Sequence, residues 1–294
     1  MKRYHNKISP EKYRYEATRI KGRHREALLN KPQNLTVLHW NKTLDKPIEH
    51  ELLTEEPLSI RVQGKPYSVV MRTPGDELAH TAGFCLGEGI VDTLDDMGSL
   101  AFCDDTDTNV VAVALAESRR SQIAEILDRR GFISQTSCGI CGKEIVEDLY
   151  QTIQPLTNDT RIDSNRALQC LESLSHHQPL RKKTRSSHAA ALYSLDFELL
   201  SVAEDVGRHN ALDKAIGKLF LARKLEKAFL LTLSSRISYE LVQKAARARI
   251  PVILAFSRPT SLAVDLAAKL NMTLACLAGD SGLYIFCGEH RLKR

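Results

Sequence analysis

The stretch AFLLTLSSRISYELVQKAARARIPVILAFSRPTSLAVDLAAKLNMTLACL, residues 228–277, decides the fold class. Short apolar segments alternate in it with longer segments whose apolar residues recur at helical spacing. Strands that alternate with helices call for right-handed crossovers and a sheet covered by helices. The stretch therefore predicts an α/β fold with a mostly parallel sheet. Its strands are predicted at 228–233, 251–256 and 273–277, and its helices at 237–249 and 260–270.

The same alternation extends beyond this stretch in both directions. Further strands are predicted at 189–194, 198–203 and 283–287, and further helices at 143–153, 163–175 and 208–223. A polar stretch, residues 176–187, separates the helices from the first of these strands. The carboxyl ends of the parallel strands are expected at one edge of the sheet.

A smaller α+β unit is predicted in front of this domain. Thr73 is expected to cap a helix that has Pro74 at its first position and ends near Gly87. Gly64 and Lys65 are expected to form the turn of a hairpin. The strands are predicted at 57–63, 66–72, 99–103 and 110–115, and a second helix at 117–130. The domain organisation expected is a basic, poorly ordered arm at 1–40, a small α+β domain at 41–132 and a larger α/β domain at 133–294.

Composition excludes several classes of protein. The chain has 294 residues, of which 43% are hydrophobic and 26% charged, as expected of a soluble globular protein. No apolar run approaches the ~20 residues that span a bilayer, and no export signal is visible, so a cytoplasmic location is expected. Residues 1–33 contain ten basic and three acidic residues. We interpret this arm as a solvated tail and predict no nucleic-acid or membrane partner.

Two of the seven cysteines form a local pair, Cys138-Gly-Ile-Cys141. The pair suits redox exchange, zinc ligation or persulfide relay, because each needs an accessible thiolate, and Lys143 would help to keep the thiol deprotonated. A zinc site would need further ligands, for which His188 is the nearest candidate. Two unreactive thiols in a turn are the alternative, although buried structural cysteines prefer apolar surroundings.

A dense polar cluster follows the strand predicted at 198–203. It reads Glu204-Asp205-Val-Gly207-Arg208-His209-Asn210 and continues to Asp213-Lys214. Arg208 and His209 fall in the first helical turn, where backbone N–H groups attract anions. His209 and Asp213 are four residues apart, so the carboxylate is expected to orient the imidazole. An ordinary capped helix with surface charges is the alternative interpretation.

An arginine recurs at three successive strand-to-helix turns. Arg208 is the first, Arg236 follows Ser234-Ser235, and Arg258 follows Ser257. In a parallel sheet these turns converge, so guanidiniums, hydroxyls and helix N-termini would face one crevice suited to nucleotide phosphates. No Walker-type or dinucleotide-type glycine loop is present, which argues against an ATPase or a dehydrogenase.

These residues, in this order, resemble the formate dehydrogenase accessory sulfurtransferase family, the FdhD family. The resemblance covers the chain from about residue 45 onward. The matching blocks are Thr73-Pro-Gly-Asp-Glu77, Gly83-Phe84, Glu88-Gly-Ile90, Ser137-Cys-Gly-Ile-Cys-Gly-Lys143, His188-Ala-Ala190, Glu204-Asp-Val-Gly-Arg-His-Asn210, Asp213-Lys214, Arg236-Ile-Ser238, Glu240-Leu-Val-Gln-Lys244 and Pro259-Thr-Ser-Leu-Ala263.

The resemblance implies sulfur transfer from a cysteine desulfurase, through a persulfide, to the molybdenum or tungsten bis-guanine-dinucleotide cofactor of formate dehydrogenase. Cys138 looks like the persulfide-bearing residue and Cys141 like its relay partner. A guanine nucleotide should mimic the cofactor, and a homodimer is expected. The larger domain is similar to the cytidine deaminase fold, but no histidine-x-glutamate zinc motif is present, so deaminase chemistry and a bound metal are not expected.

The resemblance also implies a cofactor-binding stretch near the C-terminus. It consists of Leu277, Ala278, Gly279, Asp280, Ser281 and Gly282. Gly282 stands where the family commonly has an arginine, and Ser235 stands where it has a glycine. Arg185-Ser186 likewise replaces a glycine pair. These departures bear on ligand contacts and leave the cysteine pair untouched.

Two other functions compete with sulfur transfer. A non-catalytic escort protein would bind the nucleotide cofactor and use the cysteine pair as a zinc or structural clip. A thiol oxidoreductase would cycle a disulfide between Cys138 and Cys141. In the sulfurtransferase hypothesis His188 or His209 manages protons or hydrogen-bonds the loop that carries the cysteines.

Overall fold

A computed structural model describes residues 33–40, 47–104, 107–122, 153–279 and 282–293. Cys138, Cys141, Asp280 and Ser281 lie outside the described residues, as do all but the last residue of the helix predicted at 143–153 and most of that predicted at 117–130. The boundary between the two predicted domains also lies outside them, so the domain division stays a prediction.

The N-terminal part contains a hairpin and a four-stranded sheet with the strand order β4-β3-β6-β5. Helix α1 covers one face of this sheet, and residues 117–122 are helical. The hairpin consists of β1 (Gln33–Leu38) and β2 (Pro47–Leu52), and the sheet and helix of β3 (Glu56–Val62), β4 (Lys65–Arg72), α1 (Glu77–Gly87), β5 (Met97–Asp104) and β6 (Asp107–Leu115).

Two local predictions in this part are wrong by a few residues. The hairpin turn is Gln63-Gly64, both with positive φ, as a tight hairpin turn requires, rather than Gly64-Lys65. Helix α1 begins at Glu77 after Asp76 and is not capped by Thr73. Thr73 is engaged elsewhere: its N–H donates to Asp205 Oδ2 (3.1 Å) and its Oγ1 accepts from the Val206 N–H (3.1 Å). These contacts with the end of β9 take the place of the predicted helix cap.

The C-terminal part is built on a six-stranded sheet with the order β13-β12-β11-β10-β8-β9. Its strands are β8 (His188–Tyr193), β9 (Leu199–Asp205), β10 (Leu230–Leu233), β11 (Val252–Ala255), β12 (Thr273–Leu277) and β13 (Leu283–Cys287). A short parallel pair joins β7 (Ile162–Asp163) to β14 (Leu292–Lys293). The helices are α2 (Ser164–Ser173), α3 (Pro179–Thr184), α4 (Arg208–Leu221), α5 (Tyr239–Arg247) and α6 (Ser261–Lys269).

The α/β class is confirmed, but the expectation of a mostly parallel sheet is wrong. Only β10–β11 and β11–β12 are parallel pairs, and the other three pairings are antiparallel. The reason is local, because residues 194–198 and 278–282 are connections too short for a crossover and make hairpins. Strands β9, β10, β11 and β12 nevertheless point the same way, so their carboxyl ends share one edge. Helix α3 falls in the polar stretch for which no element was predicted.

Helices α1 and α4 join the two sheets. Glycines allow their close approach: a Cβ on Gly83 would lie 1.9 Å from the Asp213 carbonyl oxygen, and one on Gly217 would lie 1.8 Å from that of Ala79. A single apolar cluster runs from Leu58 in β3 to Ile253 in β11. Within the described ranges no helix is long and apolar enough to cross a membrane.

Candidate functional site

The carboxyl edge of the six-stranded sheet brings the predicted turns together. The turns after β9, β10 and β11 open on this edge, where β8 also begins. Backbone bonds join two of them, since the Thr260 N–H donates to the Ile237 carbonyl (3.0 Å). Ser234 Oγ accepts from the Ala189 N–H (2.8 Å) and so links the β10 turn to β8. The predicted convergence of the three turns is confirmed, and their ligand binding stays a prediction.

Arg208 and Arg236 place two guanidiniums close together at this edge. Burial, and then the charge of Arg236, lowers the pKa of Arg208 below its ordinary value. Among the described residues, Arg208 Nε is buried without a hydrogen-bond partner. Arg236 is exposed. Two cations that repel each other, one with an unsatisfied donor, are the arrangement expected of a site that can bind an anion.

His188 begins β8 beside these arginines. Burial lowers its pKa, and the positive charges of Arg181 and Arg208 lower it further. Its Nδ1 is buried and lacks a partner within the described part of the chain. The ring is therefore neutral at pH 7 and offers a hydrogen bond rather than a charge.

His209 is oriented by a residue that was not predicted. Its Nε2 lies 2.9 Å from Glu240 Oε2 and 3.2 Å from Ser238 Oγ, both at the start of α5. The hydrogen bond from His209 lowers the pKa of Glu240. The predicted partner, Asp213, is instead held by Lys244 Nζ, which lies 2.9 Å from both carboxylate oxygens. The prediction is wrong because Asp213 faces the core between α4 and α5, whereas His209 lies at the edge.

Two helices begin at this edge without a side-chain cap. Gly207 precedes α4, and Ser238 precedes α5 but makes no capping bond because its hydroxyl contacts His209. Helix α6, in contrast, is capped by Thr260 Oγ1, which accepts from the Ala263 N–H (3.3 Å). Uncapped helix N-termini attract anions, which adds to the charge of the two arginines.

Much of the polar cluster at 204–214 is structural. Asp205 is fully buried, and its Oδ1 accepts from the Gly207 N–H and from Asn210 Nδ2, both at 2.9 Å. Its Oδ2 lies 2.6 Å from Lys214 Nζ. These residues fix the start of α4, and only Arg208 and His209 of the cluster face the edge.

Glu204 positions a further cation that sequence analysis missed. Its carboxylate accepts from the backbone N–H groups of Leu180 (2.7 Å) and Arg181 (2.9 Å), and from Ser187 Oγ (2.6 Å). Helix α3 is thereby fixed, and Arg181 lies close enough to His188 to lower the pKa of that ring. The signal available in the sequence was the basic run at 181–183, just before β8.

The stretch 277–282 lies at the far side of the edge. The Ala278 N–H donates to the Gly282 carbonyl (3.0 Å), which closes the turn between β12 and β13. Gly282 has φ of +86°, a conformation that an arginine adopts only under strain. Arg258 lies 5.7 Å from the ring centroid of Tyr284, and Ser257 is exposed. The structure thus pairs Arg208 with Arg236 and places Arg258 against β13.

A cavity of about 280 Å³ lies along β9, lined by Pro74, Asp76, His177, Glu204 and Lys218 among others. Its charged groups already have partners: Lys218 Nζ lies 2.7 Å from Asp76 Oδ2, and Glu204 binds α3. We therefore regard the sheet edge, where two arginines lie close together and Arg208 Nε lacks a hydrogen-bond partner among the described residues, as the functional site.

The fold and the edge define an α/β protein that presents two arginines and two uncapped helix N-termini at the carboxyl ends of its strands. The chain belongs to the FdhD/NarQ family, whose model matches residues 53–293. The resemblance found in the sequence is thereby confirmed.

Several relatives support this membership. The sulfur carrier protein FdhD of Streptomyces avermitilis is 38% identical over 251 residues, covering 82% of this chain and 88% of that protein. The protein of the same name from Sulfurisphaera tokodaii is 37% identical over 242 residues, covering 81% and 90%. A crystal structure described as that of a formate dehydrogenase accessory protein from Desulfotalea psychrophila has the same fold, with a TM-score of 0.71, 22% identity and coverage of 90% of this chain and 100% of that one.

Proposed function

We propose that this chain is a sulfurtransferase of the cytoplasm. It accepts persulfide sulfur from a cysteine desulfurase and delivers it to the molybdenum or tungsten bis-guanine-dinucleotide cofactor that formate dehydrogenase needs. The observation that carries the proposal is the pair of like charges, Arg208 and Arg236, at two uncapped helix N-termini, with the Nε of Arg208 lacking a hydrogen-bond partner among the described residues. Family membership supports the sulfur-carrying part.

The edge binds the pyrophosphate of a guanine nucleotide arm. Arg208 and Arg236 supply charge-assisted hydrogen bonds, and the Nε of Arg208 gains the partner that it lacks among the described residues. The first N–H groups of α4 and α5 point toward the same anion. The neutral His188 adds a hydrogen bond without adding to the repulsion between the cations. Ser257, Arg258 and the turn at 277–282 extend the contact toward β13.

Sulfur transfer proceeds by thiol exchange at Cys138. The Cys138 thiolate attacks the outer sulfur of the desulfurase persulfide, so that one S–S bond forms as another breaks and the desulfurase thiolate leaves. Attack by the Cys141 thiolate on the inner sulfur then releases hydrosulfide to the metal. The two electrons that reduce the outer sulfur to hydrosulfide come from the thiols of Cys138 and Cys141, which are thereby oxidised to a disulfide.

Nucleotide binding is tested by calorimetry with guanosine diphosphate. The Arg208→Gln variant should bind at least about tenfold more weakly, since a hydrogen bond to a charged group contributes about 1.5 kcal/mol or more. Arg223→Gln is the matched control, because Arg223 is exposed and pairs with Asp95 away from the edge. Equal affinity of Arg208→Gln and the parent would contradict the assignment of this edge.

Sulfur loading is tested by mass spectrometry after incubation with a desulfurase and cysteine. A gain of ~32 Da on Cys138, absent in Cys138→Ala, is expected for a persulfide. Cys138→Ala should also fail to activate a client formate dehydrogenase. Stoichiometric zinc on the cysteine pair and no mass gain would support the escort protein instead.

A further inference from the structure

Glu240 places a negative charge beside the arginines of the sheet edge. It lies in the first turn of α5, shortly after Arg236, and its Oε2 lies 2.9 Å from Nε2 of His209 in the first turn of α4. The hydrogen bond from His209 lowers the pKa of Glu240, and the positive charge of Arg208 is among the causes that lower it further. The carboxylate is therefore ionised at pH 7 and close enough to Arg208 for their charges to interact.

The charge of Glu240 acts at the edge and not in the core. Lys244 lies one turn further along α5, but its Nζ is held by Asp213, 2.9 Å from both carboxylate oxygens. The side chain of Lys244 is 8% exposed, whereas that of Glu240 is 51% exposed. An anion that binds at the start of α4 and α5 would therefore meet the Glu240 carboxylate as well as the two arginines.

The edge thus combines attraction and repulsion for an anion. Arg208 and Arg236 contribute two positive charges, Glu240 contributes one negative charge, and the nearby His188 is neutral at pH 7. A pyrophosphate diester carries two negative charges, whereas a diphosphate with a terminal phosphate carries a third above about pH 6. Each charge added to the ligand increases both its attraction to the arginines and its repulsion from Glu240.

We propose that Glu240 is a specificity-determining residue, whose carboxylate opposes the binding of terminal phosphate groups and so favours a nucleotide joined through a pyrophosphate diester. The inference rests on the nucleotide site proposed above. Specificity is a difference between two affinities, and a group that repels the competing ligand increases that difference. Free guanosine diphosphate and triphosphate carry terminal phosphate charge that the dinucleotide arm of the cofactor lacks. Glu240 therefore reduces competition from these nucleotides at the edge.

The test is calorimetry of the full chain at low salt with three guanosine ligands of increasing charge: the β-methyl ester of guanosine diphosphate, guanosine diphosphate and guanosine triphosphate. Glu240→Gln keeps an oxygen that accepts from His209 but removes the charge, so it should bind all three more tightly. The gain should grow about twofold for each added negative charge. Glu198→Gln is the matched control and should change no affinity, because Glu198 is exposed and precedes the amino end of β9, away from the edge. An equal gain for all three ligands, no gain, or the same gain in Glu198→Gln would overturn the inference.

Two further variants in the same assay separate the possible failures. Glu240→Asp keeps the charge but shortens the side chain that reaches His209, and it should keep the parent's ratios among the three affinities. Ratios that change in Glu240→Asp as they do in Glu240→Gln would mean that Glu240 positions His209 and does not act by charge. Weaker binding by Arg208→Gln with no effect of Glu240→Gln would refute the role of Glu240 alone, whereas unchanged binding by Arg208→Gln would overturn the nucleotide site and this inference together.

Discussion

Helix α4 separates two clusters of charged residues that differ in almost every physical respect. On its buried side, Lys214 pairs with Asp205 and Lys244 pairs with Asp213, and all four side chains are nearly inaccessible. At its N-terminus, the partly buried Arg208 neighbours Arg236, and its Nε has no hydrogen-bond partner in the described residues; the nearby carboxylate of Glu240 contacts His209 instead. In the buried cluster each of these two lysines is matched by an aspartate, whereas the edge has two arginines beside one glutamate.

The difference in pairing between the two clusters indicates which polar residues stabilise the fold and which are available to bind a ligand. A buried charge is tolerated only when it is paired, so the buried cluster must be satisfied within the chain. A charge that is in contact with water is solvated, so the cations at the edge need no partner from within the chain. Density of polar residues in the sequence does not distinguish these cases, but pairing in the structure does.

The largest expected effect follows from breaking a buried pair. Lys244→Met leaves Asp213 buried without its cation and should lower the free energy of unfolding at pH 7 by about 3–5 kcal/mol. Urea denaturation measures the change. The double variant Asp213→Leu/Lys244→Met should regain much of the loss. A single variant as stable as the parent would show that this cluster does not hold the fold.

A smaller effect is expected from the glycine contact that brings α1 against α4. Gly217→Ala puts a methyl group 1.8 Å from the Ala79 carbonyl oxygen and should cost about 1–3 kcal/mol in overpacking. Gly279→Ala is the matched control, since nothing lies within 4 Å of its added Cβ. Equal denaturation midpoints for the two variants would mean that the helices are not in tight contact.

The periodicity of apolar residues in the sequence was sufficient to predict most of the strands and helices. The bounds of β12 and β13 match their predicted ranges, and α6 differs by one residue at each end. These elements are set by local alternation of apolar and polar residues, which the sequence displays directly. The convergence of Arg208 and Arg236 also followed from chain order, because each turn comes after a strand of the same direction.

Contacts between distant segments were beyond sequence reasoning. The partner of His209 is Glu240, 31 positions away, whereas the spacing rule pointed to Asp213 within the same helix. Thr73 was expected to cap α1 and instead binds Asp205 in β9. Both errors have one cause. The spacing and capping rules consider only residues that are close in sequence, whereas the fold brings a more distant residue into contact.

His80, buried within the charged cluster, predicts a dependence of stability on pH. Burial, followed by the charges of Lys214 and Lys244, holds the pKa of His80 well below 6.5. Below about pH 6.5 the His80 ring is protonated in the unfolded chain but stays neutral in the native state. The free energy of unfolding therefore falls as the pH drops below that value. One proton corresponds to at most about 1.4 kcal/mol per pH unit.

Asp213 opposes this trend. Burial raises its pKa to about 6, so its protonation favours the native state between about pH 4 and 6. The difference in unfolding free energy between the parent and His80→Gln, measured from pH 7 to 5, isolates the histidine. We expect that difference to shift with pH in favour of the variant as the pH falls. A constant difference would mean that His80 is not held neutral.

The smallest expected effect on stability belongs to the edge. Arg236→Gln should change the free energy of unfolding by no more than about 0.5 kcal/mol, because the side chain is exposed and unpaired among the residues described. At low salt the change should favour the variant, since one repelling cation is removed, and this gain should shrink near 0.1 M salt, where charges are screened over about 10 Å. Inorganic phosphate should reverse the order, because an anion that binds only the native parent stabilises it by mass action. Thermal midpoints measured with and without phosphate decide the matter: if parent and variant respond equally, the edge does not bind anions, and its contrast with the buried cluster is lost.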